Sequence, residues 1–309
     1  MKRLALIALL LGGCMSPVDE FRGAAPSAQT VALNVPAGAA TSTASVPTAR
    51  DGASPETLGQ RATFYEITRG VTTIVNGGVG VTLLVLEAIV AQQPTTITVD
   101  HATWGPYTGA LDPTTWKFDV SKAGPSDYSY VLSGKPRNAA DTAYVAVITG
   151  QAHVVSRTVG SGDFLFDFSA LHQLDSSQKS QGSISVHYDN TGSPRVVEVA
   201  FKAFDDGNGS YTPDDALYKY AEQADHSGSF EFVTKADVDH DPAGVQETVG
   251  IKSEWLSTGQ GRSNAGASGG SLSGNATLEE CWSDSFQRTY FTDTWNPSDT
   301  EGDPASCKP

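Results

Sequence analysis

The chain has 309 residues, 39% of them apolar, which is enough for one large β domain or two smaller ones; we read one. Its net charge of −15, with no segment concentrating Lys or Arg, argues against nucleic acid as a partner. Thirty-one glycines and sixteen prolines favour many short strands joined by turns.

At the start, Met1, Lys2 and Arg3 form a positive n-region, and Leu4 to Leu11 an apolar h-region too short to span a bilayer. Gly12 and Gly13 supply small residues before Cys14, so residues 1–13 read as a secretory signal. The stretch Leu11, Gly12, Gly13, Cys14 resembles the lipobox of bacterial lipoproteins. That resemblance implies diacylglycerol on the Cys14 thiol, cleavage just before Cys14, and acylation of the new amino group. Two or three acyl chains hold a protein on a membrane where one is marginal. Met15, where an inner-membrane lipoprotein would carry aspartate, implies the outer membrane of the cell envelope. Loss of Lys2 and Arg3 makes the mature chain still more acidic, so the domain should stand off an anionic surface.

Residues 14–55 are rich in Ala, Ser, Thr, Pro and Gly and show no sustained period, which predicts a flexible tether with a reach of about 35 Å. A single globular domain is expected over 56–309. It opens with a helix over residues 64–92, because the apolar or small residues Val71, Ile74, Val75, Gly78, Val79, Thr82, Val85, Leu86 and Ile89 recur at helical spacing. Ser54 or Thr57 is the expected cap, and Pro94 lies just past the end. Leu83 and Leu84 extend the apolar surface, so the second half is expected to be buried nearly all round. Gly77, Gly78 and Gly80 are expected where a strand comes closest to the helix backbone. Residues 71–90 are long enough to span a bilayer, but Asn76, Glu87, three threonines and the glycines make insertion poor.

Beyond Pro94 the period becomes two. Strands are expected around 116–120, 128–132, 164–168, 184–188, 197–203, 230–234 and 249–255, with turns such as "SGKPRN", "DNTGSP" and "DHSG" between. The expected fold is α+β and mainly β: one large curved antiparallel sheet of about ten strands packed around one long N-terminal helix. In architecture this plan is similar to the half-barrel folds of bacterial lipoprotein carriers, whose helices plug a concave sheet.

Cys281 and Cys307 remain once Cys14 is assigned. An even pair in an exported chain predicts a disulfide, worth about 3 kcal/mol on the loop-entropy account. Three carboxylates at alternate positions, Asp237, Asp239 and Asp241, have the spacing to aim oxygens at one hard cation, so calcium is the one cofactor admitted. Residues 205–215 form a second oxygen-rich loop. Ser268 in "GASGG" has the letters of a nucleophile elbow without its strand–turn–helix setting, and reads as a hairpin loop or edge strand. His153 and His172 lie near Asp163 and Asp167 in sequence, and Trp282, Phe286 and Tyr290 read as core. No catalytic residue is assigned.

The functional expectation is a lipid-anchored, non-enzymatic binding or structural module. Its partners would be the membrane, through the N-terminal lipid, and a hydrophobic small molecule or an envelope component. A calcium-dependent adhesion module and an envelope-polymer hydrolase are the alternatives.

Overall fold

The computed structural model describes residues 16–36, 58–156, 158–205, 207, 214–238, 244–295 and 297–308. The signal segment, Cys14, Ser54, Thr57, Asp239 and Asp241 lie outside the described residues.

Two short helices come first, α1 (Pro17–Gly23) and α2 (Ala28–Val31). Ser16 caps α1 by accepting the Asp19 N–H at 3.2 Å, and Ser27 and Thr30 form a capping box on α2. Phe21, Ala24, Val31 and Leu33 are buried in the core. Residues 16–36 therefore belong to the folded domain, which corrects the tether expected over 14–55. Average composition hid these few apolar anchors. The long helix α3 (Thr63–Val90) also supplies the hydrogen bonds that a strap without its own strand partner needs. Asn76 accepts the Leu33 N–H at 2.8 Å and donates to the Leu33 carbonyl at 2.9 Å. Glu87 accepts the Ala28 N–H at 2.8 Å.

α3 lies close to its expected bounds, and Phe64, Ile67, Val71, Val75, Val79, Leu83, Leu86 and Ile89 form its buried stripe. Two details are corrected. Leu84 and Val85 are exposed, so the second half is one-sided, not buried all round. A Cβ placed on Gly77 or Gly80 would meet nothing within 4 Å, so neither marks a close strand approach. Among the described residues no helix is long and apolar enough to cross a membrane.

Among the described residues fifteen strands form one sheet, each paired antiparallel with its sequence neighbours. They are β1 (Thr96–Ile97), β2 (His101–Thr108), β3 (Thr114–Lys122), β4 (Asp127–Pro136), β5 (Val145–Val154), β6 (Gly160–Asp167), β7 (Gln181–Asp189) and β8 (Arg195–Asp205). There follow β9 (Asp214–Glu222), β10 (Gly228–Ala236), β11 (Glu247–Trp255), β12 (Gly261–Ser268), β13 (Ala276–Trp282), β14 (Arg288–Asp293) and β15 (Glu301–Gly302). A fourth helix, α4 (Phe168–Leu174), interrupts the meander after β6, with Asp167 as its cap.

The count exceeds the expected ten because several strands carry no large apolar alternation. β12 is the clearest case: it buries only Gly261, Ser263, Ala265 and Ala267, small residues that let α3 come close. There the Thr68 hydroxyl lies 2.6 Å from that of Ser253, which in turn lies 2.5 Å from that of Ser263, so these buried hydroxyls satisfy one another.

Nor is the sheet packed around one helix. Twenty-eight helical residues reach about 42 Å, whereas fifteen strands at about 4.8 Å spacing need roughly 67 Å. α3 packs on β2, β3, β11 and β12, α4 on β4, β5 and β7, and α1 with the strap through Leu33 covers more of the same face.

On that covered face, large rings sit directly opposite glycines. The facing pairs are Trp116 with Gly134, Tyr130 with Gly150, Tyr188 with Gly162, Trp255 with Gly228, and Trp282 with Gly261. Each ring lies over the space a glycine Cβ would take, which packs the ring and shields the bare strand backbone. The sheet does not close, and its outermost strands have only two residues each, which leaves little edge for foreign strands to pair with. At the C-terminal edge Cys281 on β13 is joined to Cys307 by a disulfide, with Cα atoms 5.2 Å apart.

Candidate ligand groove on the outer face of the sheet

Strand register builds the site. Successive cross-strand partners on the outer face run Gln151, Asp163, His187, Glu198, Lys219, Glu231, Lys252 from β5 to β11. From Asp163 onward this row alternates acid with base, the arrangement in which facing neighbours attract. Two residues along each strand lies a second row without charge: Val131, Thr149, Leu165, Ser185, Ala200, Leu217. Side chains of both rows, over β4 to β9, line a groove of about 630 Å³.

Within the groove, Nδ1 of His187 lies 2.8 Å from a carboxylate oxygen of Asp163, and both side chains are about half-exposed or more. Leu165 and Leu217 present 41% and 37% of their surface to solvent, and with Val131 they line the same groove. The groove thus combines an apolar strip with a fixed line of hydrogen-bonding and charged groups, the combination that orients an amphipathic ligand. Ser185 lines it too, but among the described residues no hydrogen bond joins it to His187, so no nucleophile–base pair is assembled there. Beneath the groove, Tyr130 is buried, its hydroxyl has no hydrogen-bond partner among the described residues, and burial pushes its ionisation well up.

A second cluster clamps the strap. Glu222 on β9 receives Tyr220 Oη at 2.8 Å and Asn34 Nδ2 at 3.4 Å, and its other oxygen lies 2.9 Å from Nδ1 of His226. Arg195 donates to the Ala32 carbonyl at 2.6 Å and stands 3.6 Å from Glu222. Burial works to raise the Glu222 carboxyl, but hydrogen bonds from His226, Tyr220 and Asn34 and the Arg195 charge hold it below its usual value. These groups are partnered to one another and to residues 30–36, and their work is structural.

Those of the residues singled out in the sequence that the structure describes have separate partners. Asp237 accepts the Gly244 N–H at 2.6 Å in the loop after β10, while Asp239 and Asp241 lie outside the described residues. Asp215, from the other oxygen-rich stretch, lies in β9, pairs with Lys202 and accepts the Ala203 N–H. Glu279 lies beside Cys281 and Cys307, but sulfurs joined in a disulfide are not the thiolates a metal takes. Ser268 ends β12 and is followed by glycines with φ of +79° and +58°, a turn and not an elbow.

His153 and His172, near Asp163 and Asp167 in sequence, have other partners. His153 pairs with Asp127 at 2.8 Å, His172 lies against the Gln178 carbonyl, and Asp163 belongs to His187. Trp282 and Phe286 are core as expected, both packed on Tyr65 of α3. Sequence reading missed the groove because alternation in "SISVHYD" tells which side chains face out but not what stands opposite them.

No family model matches the chain, and no curated protein and no solved structure matches it either.

Proposed function

We propose that this chain is a lipid-anchored protein of the bacterial cell envelope, sorted to the outer membrane, that acts as a non-enzymatic binding module. Its ligand is amphipathic and lies in the outer-face groove, the apolar part along Val131, Leu165 and Leu217 and the polar part against Gln151, Asp163 and His187. The observation that carries this reading is the groove itself: two exposed leucines held in register beside a charged row on rigid paired strands. The opposite face is taken up by the chain's own side chains, with Trp104, Phe118, Leu83, Leu86 and Phe230 fully buried between helices and sheet. A hydrophobic ligand therefore has its place outside, not under α3. The Leu11 to Cys14 stretch supports the anchor.

Native mass spectrometry of the full-length protein, extracted in mild detergent, tests the binding role. A bound amphiphile on the wild type that is missing from Leu165→Asp supports it, and an empty wild type refutes it. Fatty-acid labelling of wild type and Cys14→Ser tests the anchor separately.

A further inference from the structure

The strap changes where the domain sits. Ser16 already caps α1, so only two residue steps separate Cys14 from folded protein, a span of at most about 7 Å. An acyl group on Cys14 would therefore hold a particular part of the domain close to the bilayer.

That part is one end of the sheet. Glu20 of α1 receives Lys122 Nζ and the Tyr128 hydroxyl, and Phe21 packs edge-on against Tyr128. Lys122 closes the turn before β2 by donating to the Asp100 carbonyl at 2.8 Å, and Val154 donates to the Ser126 carbonyl at 2.8 Å. The turns at 98–100 and 123–126 and the described residues 155, 156, 158 and 159 thus gather at the end that carries α1. Two of them expose valines, Val99 at 84% and Val155 at 59%, with Ile97 beside the first at 40%. Leu111 at the opposite end is just as exposed, so what singles out Val99 and Val155 is that they stand at the end that carries α1 and hence Cys14.

We infer that this end is a membrane-docking surface, with Val99 and Val155 resting in the headgroup region beside the acyl chains of Cys14. The inference rests on the acylation of Cys14. At this end Arg22 pairs with Asp19, Lys122 with Glu20 and His153 with Asp127, so the described residues offer no surplus of cations and the lipid face that fits is zwitterionic and not anionic. The charged row of the groove crosses the strands at Gln151 and Asp163, three residues back from the strand ends at Val154 and Gly160, about 10 Å at 3.3 Å per residue, which holds the ligand site above the headgroups while the domain is docked.

The test places a tryptophan at each tip, Val99→Trp and Val155→Trp, in the full-length acylated protein. Leu111→Trp at the opposite end is the control, since Leu111 is 97% exposed in the turn between β2 and β3. The probe is a vesicle of phosphatidylcholine and phosphatidylethanolamine with brominated acyl chains. The fluorescence added at 99 and 155 should shift to the blue and be quenched, that added at 111 should persist, and anionic lipid should weaken the quenching. Equal persistence at all three positions in acylated, vesicle-bound protein would overturn docking and leave the anchor standing. Protein recovered from cells without an acyl label would remove anchor and docking together.

Discussion

Glu280 on β13 and Arg288 at the start of β14 form an ion pair at 2.7 Å with both side chains almost wholly out of solvent. The same carboxylate accepts the N–H groups of Thr63 and Phe64 at 2.8 and 2.6 Å, so a strand residue more than two hundred positions away caps α3. Ala62 at the helix start has no side chain for that task. Burial pushes the Glu280 carboxyl up, opposed by the guanidinium and the two amides. Arg288 also reaches Glu301 at 3.1 Å and Thr63 at 3.1 Å, which ties the helix start to the C-terminal edge of the sheet.

Removing one partner leaves a buried charge uncompensated. Glu280→Ala should therefore cost about 3–5 kcal/mol in denaturant unfolding, with early amide exchange at the first turn of α3. A loss under about 1 kcal/mol, as for an exposed pair, would contradict this account.

The strap should open in acid. Glu222 has a depressed ionisation in the folded state, so its contribution is fully present above the usual carboxylate value of 4.5 and lost as pH falls through the lower folded value. Amide exchange over residues 30–36 should rise in that window ahead of the sheet, and Glu222→Gln should raise it already at neutral pH. Acid-insensitive exchange there would show that the clamp rests on packing alone.

Facing aromatic rings make some glycines irreplaceable. A Cβ on Gly150 would stand 2.4 Å from the Tyr130 hydroxyl, and one on Gly261 would stand 2.6 Å from the Trp282 ring. Alanine at either site should destabilise by about 1–3 kcal/mol. Gly266→Ala, whose nearest neighbour would be 3.7 Å away, should be close to neutral in the same thermal melts.

Groove residues should separate binding from folding. His187→Ala changes an exposed side chain, so its effect on stability should stay within about 0.5 kcal/mol. The co-purifying amphiphile should nevertheless be lost or weakened. A ligand retained by both His187→Ala and Leu165→Asp would place binding elsewhere on the molecule.

Reduction of the disulfide should free the C-terminal edge. With its cysteines 26 positions apart, the bridge should contribute about 3 kcal/mol, read as a lower melting point for Cys307→Ser. An unchanged melting point would mean that β15 and the following turn are held by their other contacts.

Local periodicity was sufficient for much of the fold. The apolar stripe located α3 to within about two residues, and the alternations in "WKFDV", "YSYVL" and "SISVHY" fall inside β3, β4 and β7. A segment such as β12, with only small residues on its covered face, gives no such signal, because its burial is imposed by the helix above it. Residues 16–36 likewise read as linker because their hydrogen-bond partners, Asn76, Glu87 and Arg195, are distant in the chain.

The sequence by itself determined a mainly β chain, one long amphipathic helix, and a pair of cysteines available to each other once Cys14 is set aside, since these depend on spacings of a few residues or on counting. Tertiary structure alone decided that Glu280 caps α3, that the strap belongs to the core, and that Asp163, His187, Leu165 and Leu217 share one groove. The reason is register: a one-residue slip between strands turns every side chain to the other face, and that choice is settled by all the pairings together.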